Sequence, residues 1–168
     1  MAEIINKVKQ SRLITIDLEK MLPENSVIEE LDLSQFLFQG LILRELEYRK
    51  YLEEFNWEQF EGSYLATHCS TDAIIPKWAY MLVVQHSSGF AREVFFGKKE
   101  DALSELYERI FSKVDWKEYS SKYVLLKGCS KIDLPPSVYL NATKKLLPFV
   151  GKLMYGEACS NVPIYRKK

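Results

Sequence analysis

This sequence has no net charge, no long apolar run and few cysteines. No run of about 18 apolar residues is present, so the sequence predicts no membrane-spanning helix. The 23 basic residues are matched by 23 acidic residues, whereas nucleic-acid-binding proteins normally carry a basic stripe. The N-terminal segment 1–10 lacks the uninterrupted apolar stretch of an export signal. We therefore expect a cytoplasmic protein that binds neither membranes nor nucleic acid.

The common motifs of nucleotide-binding and ester-hydrolysing enzymes are also absent, because the chain contains no GxGxxG, no Walker loop and no nucleophile elbow. The composition that is present is that of a folded domain. With 168 residues, 47% of them hydrophobic, the chain can bury a single continuous core. We predict one domain over residues 1–168, in which residues 1–61 form a strand and helix module packed on the rest.

Beyond this module, apolar stretches typical of strands alternate with helical patterns. Strands separated by helices of this length indicate βαβ units, in which the strands run parallel. The sequence therefore predicts an α/β fold, a three-layer sandwich with a mostly parallel sheet of about four strands plus the N-terminal module. The predicted strands cover 13–18, 27–33, 63–68, 92–96, 123–127 and 152–155, and the predicted helices cover 35–55, 75–86, 100–114 and 136–150.

Cysteine occurs only at Cys69, Cys129 and Cys159, and each is followed at once by serine after a predicted strand. An odd set of cysteines in the cytoplasm does not make a disulfide framework. If the strands lie in one parallel sheet, the three thiols gather at its carboxyl edge, where open α/β sheets bind their ligands. We attribute the recurrence to similar strand ends rather than to repeated modules.

A shared thiol site favours a metal ion or an iron–sulfur cluster as cofactor. Three thiolates and one further ligand complete a tetrahedral zinc or iron site. Asp72 is the nearest candidate for the fourth ligand, with His68 as an alternative. The predicted metal ligands are Cys69, Cys129, Cys159 and Asp72, and the predicted cofactor-binding residues are Ser70, Thr71, Ser130 and Ser160.

Two other interpretations stay open. The start of the helix that follows Cys69 should acidify its thiol, so Cys69 is the candidate nucleophile of a thiol-redox or sulfur-transfer enzyme that uses no metal. Alternatively, the cysteines are core residues of a structural or interaction protein, in which the aromatic segment from Tyr48 to Phe60 is a docking surface. We expect His68 to be a satisfied structural histidine that points to the opposite face of the sheet from Cys69, and Tyr80 and Tyr139 to be core residues.

Several segments resemble one protein family. They are HCSTDAIIPKWAYMLV at 68–83, LLKGCSKIDLPPSVYLNATKKLLP at 125–148 and MYGEACSNVPIYRKK at 154–168, together with INKVKQSRLITIDLE near the start. Over almost the whole chain they are similar to the domain-of-unknown-function 2480 family of uncharacterised Bacteroidetes proteins. The resemblance assigns no activity, but it implies a link to iron–sulfur assembly proteins as partners. A homodimer is a further expectation.

Overall fold

The computed structural model describes residues 13–127 and 131–168. The strands in these ranges are β1 Leu13–Ile16, β2 Ile28–Asp32, β3 Tyr64–His68, β4 Glu93–Phe96, β5 Tyr123–Lys127, β6 Lys152–Glu157 and β7 Ser160–Arg166. The α-helices are α1 Glu45–Glu54, α2 Lys77–Ser87, α3 Lys99–Ser112 and α4 Pro136–Leu146. Short 3-10 helices cover Leu18–Met21, Leu33–Phe36, Trp57–Phe60 and Trp116–Tyr119.

The described residues group into two compact units. The inserted unit comprises Glu24–Leu106, and the split unit comprises the described residues up to Pro23 together with Tyr107–Lys168. Helix α3 begins in the inserted unit and ends in the split unit. The prediction of a single domain with a module over residues 1–61 stays a prediction.

The inserted unit is built on a parallel sheet with the strand order β2-β3-β4. The central strand β3 is buried along almost its whole length, as expected for a parallel strand that is covered on both faces. Helix α2 buries Ala79, Val83 and Ser87 completely, and these residues recur every fourth position, which places them on one face of a helix. The indole Nε1 of Trp57 donates to the carbonyl of Leu52 over 2.8 Å at the end of α1.

The split unit is built on a sheet with the order β1-β5-β6-β7, in which only β7 runs antiparallel. Helix α4 buries Val138, Ala142 and Leu146, again at intervals of four. The indole Nε1 of Trp116 donates to the carbonyl of Phe111 over 3.0 Å at the end of α3. In each unit, the helix that precedes the second strand therefore ends with the same kind of hydrogen bond, from a tryptophan indole to a backbone carbonyl.

One order of elements describes both units: strand, 3-10 helix, α-helix, 3-10 helix that begins with tryptophan, strand, α-helix and strand. Trp57 and Trp116 begin the two equivalent 3-10 helices. The same interval along the chain separates Tyr48 from Tyr107, and both tyrosines are completely buried. This repeat was not predicted from the sequence, and β7 has no counterpart among the described residues of the inserted unit. The attribution of the three Cys-Ser pairs to similar strand ends stays a prediction.

The α/β class and a mostly parallel four-stranded sheet are confirmed. The premise that the strands before the cysteines share one sheet is wrong, because β3 and β5 belong to different sheets. The predicted helix over 35–55 is also wrong in its first half. Gln39 and Gly40 have φ of 51° and 70°, which form a tight turn that a helix does not tolerate, and α1 begins only at Glu45.

Candidate functional site

A cleft lies at the carboxyl ends of β3 and β4, within the inserted unit. It has a volume of about 570 Å³, which falls in the range of about 300–1,000 Å³ that is usual for small-molecule sites. We call it the inserted-unit cleft. Its lining residues are His68, Cys69, Thr71, Ala73, Ile75, Lys77, Tyr80 and Phe96.

One wall of this cleft is aromatic. Tyr80 of α2 and Phe96 of β4 pack edge to face, with ring centroids 5.3 Å apart and an interplanar angle of 77°. Phe96 is nevertheless 72% exposed. Burial raises the pKa of Tyr80, and the nearby Cys69 raises it further. The Tyr80 phenol therefore stays protonated at neutral pH, and its O–H can donate a hydrogen bond.

The cleft also has polar lining residues. Cys69 Sγ lies 3.3 Å from Thr71 Oγ1, and Thr71 Oγ1 accepts from the backbone N–H of Ala73 over 3.4 Å. These contacts shape the loop between β3 and α2. Lys77, the first residue of α2, brings a positive charge to the same cleft.

His68 lies beside Cys69 on the cleft rather than on the opposite face of the sheet. It is the last residue of β3, so the alternation of side chains along the strand no longer applies to the residue that follows. Its Nδ1 atom is buried and has no hydrogen-bond partner among the described residues. The expectation of a satisfied structural histidine is therefore wrong.

Asp32 holds the cleft loop to the end of the neighbouring strand β2. Its Oδ1 atom accepts from the backbone N–H of Ser34 over 2.9 Å and from that of Ser70 over 3.0 Å, and the Ser70 hydroxyl donates to the Ser34 hydroxyl over 3.2 Å. Burial raises the pKa of Asp32, but the hydrogen bonds from Ser70 and Ser34 outweigh it and lower the pKa to about 2. The carboxylate is thus charged and structural.

The predicted three-cysteine site is wrong. Cys69 follows β3 of the inserted unit, whereas Cys159 is an exposed residue in the turn between β6 and β7 of the split unit. Cys129 lies outside the described residues, as does Ser130. In residues 13–127 and 131–168, no group of three or more histidine, cysteine or acidic residues could hold a metal ion.

The other predicted site residues do not lie together either. Asp72 is exposed and lines a different groove, with Leu41, Ile42 and Ile74. Ser160 begins β7. Ser70 is part of the Asp32 network, and only Thr71 lies with Cys69 on the cleft.

The segment from Tyr48 to Phe60, predicted as a docking surface, is only partly exposed. Tyr48, Trp57 and Phe60 are at most 6% exposed and belong to the core of the inserted unit, whereas Tyr51 is 47% exposed. The docking surface stays a prediction. Of the two aromatic residues of the cleft, Tyr80 is predicted from sequence to be a core residue, because it sits at core spacing on α2. The sequence signal for Tyr80 and Phe96 is their recurrence as Tyr139 and Tyr155 at the interval that separates the two tryptophans.

Comparison with known proteins identifies the family. The model of a family described as "Protein of unknown function (DUF2480)" matches residues 2–167. The chain belongs to this family. No curated protein and no solved structure matches this DUF2480 chain. In the part of the chain that the structure describes, no helix has the length and apolar character needed to cross a membrane. The expected homodimer and the expected iron–sulfur assembly partners stay predictions.

Proposed function

We propose that this protein binds a small molecule, and that the inserted-unit cleft takes a planar aromatic anion such as an aromatic carboxylate or sulfonate. The observation that carries the proposal is the meeting of an aromatic pair, Tyr80 and Phe96, with the charge of Lys77 around one cleft at the carboxyl end of a parallel sheet. Parallel α/β sheets bind their ligands at this end.

The aromatic wall supports a planar ligand. A ring stacked on Phe96 would cover apolar surface that the fold leaves exposed, since Phe96 stays largely exposed although it packs against Tyr80. Ring pairs of this kind contribute about 0.5–1.5 kcal/mol beyond the area that they bury.

The charges around the cleft support a negative ligand. Lys77 is the lysine of the described lining, which contains no arginine, and the start of α2 beside it carries the positive end of the helix dipole. The nearby Asp32 carboxylate is charged, and its Oδ1 atom accepts the backbone N–H groups of Ser34 and Ser70 rather than facing the cleft unpaired. The Tyr80 O–H and the Thr71 hydroxyl supply further donors to an anionic group.

Titration of the full chain with the fluorescent aromatic anion anilinonaphthalene sulfonate tests the proposal. We expect saturable binding that Lys77→Met weakens about fivefold, the value of an exposed ion pair of about 1 kcal/mol. Phe96→Ala should weaken it about tenfold through the lost ring contact. Added salt should weaken binding to the wild type more than to Lys77→Met.

Lys50→Met is the matched control. Lys50 lies on α1 of the same unit, and its side chain is 73% exposed in a pair with Glu54. This variant removes the same charge from outside the cleft and should bind the anion as the wild type does. Equal affinities of Lys77→Met and Lys50→Met, or an unchanged affinity of Phe96→Ala, would contradict the proposal.

A further inference from the structure

We propose that the split unit carries a second ligand cleft, the counterpart of the inserted-unit cleft, and that it takes a neutral aromatic molecule. The second cleft goes beyond the function proposed above, because neither the correspondence of the two units nor the lining of the split unit depends on what the first cleft binds.

Residue pairs at one constant interval show that the two units correspond position by position. Ala79 and Val138 are buried at equivalent points of α2 and α4. Gly97 and Gly156 both have positive φ, of 112° and 128°. Each glycine also lies where a Cβ would come within 2.6 Å of another atom, so neither position accepts a side chain without rearrangement. The pairs at the same interval include Tyr48 and Tyr107, Trp57 and Trp116, Tyr64 and Tyr123, Val83 and Ala142, Ser87 and Leu146, and Phe90 and Phe149.

The aromatic wall of the inserted-unit cleft recurs in the split unit. Tyr139 of α4 and Tyr155 of β6 pack edge to face, with ring centroids 5.5 Å apart and an interplanar angle of 90°. They occupy the positions of Tyr80 and Phe96. The strand registers also agree, because Tyr155 pairs with Leu126 just as Phe96 pairs with Thr67.

These two tyrosines line a cleft of about 590 Å³ in the split unit. We call it the split-unit cleft. Four of its positions are the counterparts of positions that line the inserted-unit cleft, which a chance surface depression would not reproduce. Its lining residues, among those that the structure describes, are Leu126, Leu134, Pro136, Tyr139, Leu140, Thr143, Tyr155 and Ile164.

The chemistry of the second cleft differs in one respect. Pro136 stands at the position of Lys77, and the described residues of the lining include no lysine, arginine, histidine or acidic residue. Ile164, from the additional strand β7, closes the lining with another apolar side chain. Leu140 and Ile164 are 72% and 51% exposed, so both offer apolar surface to a ligand. A cleft with this lining favours a ring system without charge, since an ion would lose its hydration there and its described side chains offer hydroxyl groups but no opposite charge.

The neutral fluorophore phenylnaphthylamine, titrated into the full chain, is the test. We expect saturable binding with one dye per chain, and we expect Leu140→Glu to weaken it about tenfold or more because the variant places a charge on the apolar lining. Glutamate is a good helix former and Leu140 is exposed, so the fold should survive. Ile164→Lys provides a second variant on a different element.

Met81→Glu is the matched control, because Met81 holds the position of Leu140 in the inserted unit and is 69% exposed. It should leave the affinity for the neutral dye unchanged. Binding that does not saturate, binding that Leu140→Glu and Ile164→Lys both leave intact, or binding that Met81→Glu abolishes would each overturn the proposal. Binding of anilinonaphthalene sulfonate should be insensitive to Leu140→Glu, so the second cleft and the function proposed for the first succeed or fail separately.

Discussion

Replacing Trp57 by phenylalanine measures what the repeated tryptophan contributes to its unit. The indole Nε1 donates to the carbonyl of Leu52 over 2.8 Å, and the side chain is only 6% exposed. Losing a buried hydrogen bond costs about 1 kcal/mol. The smaller ring buries less apolar area, which costs about another 1 kcal/mol. We therefore expect the free energy of unfolding to fall by about 2 kcal/mol.

Trp116→Phe is the equivalent change in the split unit, and the structure gives a reason for a smaller effect. The carbonyl of Phe111 accepts from Trp116 Nε1 over 3.0 Å, but it also accepts from the backbone N–H of Val114 over 3.3 Å. The carbonyl therefore keeps one donor in the variant. We expect a loss of about 1 kcal/mol, mostly from the reduced apolar burial.

Urea unfolding followed by far-ultraviolet circular dichroism is the assay, since each substitution removes one of the three tryptophans and so changes the fluorescence that would otherwise report unfolding. Trp78→Phe is the control, because Trp78 is partly exposed and packs edge-on against Tyr48. It should cost less than Trp57→Phe. A loss below about 0.5 kcal/mol for Trp57→Phe would refute the assignment of a stabilising hydrogen bond. A larger loss for Trp116→Phe than for Trp57→Phe would refute the argument from the second donor.

Two further predictions concern the inserted-unit cleft and its support. Because the pKa of Asp32 is lowered from 3.8 to about 2, its contribution to stability is fully present above the ordinary value and is lost as the pH falls toward the lowered one. Asp32→Asn should therefore lower the free energy of unfolding in urea by about 1 kcal/mol at neutral pH, with a smaller difference from the wild type at pH near 3. The exposed Asp72→Asn is the control and should not change the free energy of unfolding at either pH. A loss for Asp32→Asn that does not shrink on acidification would contradict the structural role of the Asp32 carboxylate. Alkylation of Cys69 by iodoacetamide, followed by peptide mass spectrometry, should slow when anilinonaphthalene sulfonate fills the cleft, while alkylation of the exposed Cys159 should not change; equal slowing at both cysteines would show that the dye acts elsewhere.

The sequence predicted the elements whose residue patterns are local. The alternation of apolar strands with helices predicted the α/β class, and the periodicity of Ala79, Val83 and Ser87 fits the α2 that was observed. The prediction of helices and strands from sequence failed where the backbone conformation of single residues determined the secondary structure. Gln39 and Gly40 take left-handed φ values that end any helix before α1, and no periodicity reveals that turn. Strand β7 was missed because its side chains are almost all exposed and show no apolar alternation.

Pairing between strands that are distant in sequence determined which residues meet at the candidate site. The sequence by itself determined that Cys69 and Cys129 follow strands, and that tyrosines and tryptophans recur at a constant interval. Only the tertiary structure decided that β3 and β5 enter different sheets, which removes the premise of a shared thiol site. It also decided that Tyr80 meets Phe96 and that Tyr139 meets Tyr155. The physical reason is that strand partners are chosen by packing between distant segments, whereas the apolar pattern of a single strand is the same in either sheet.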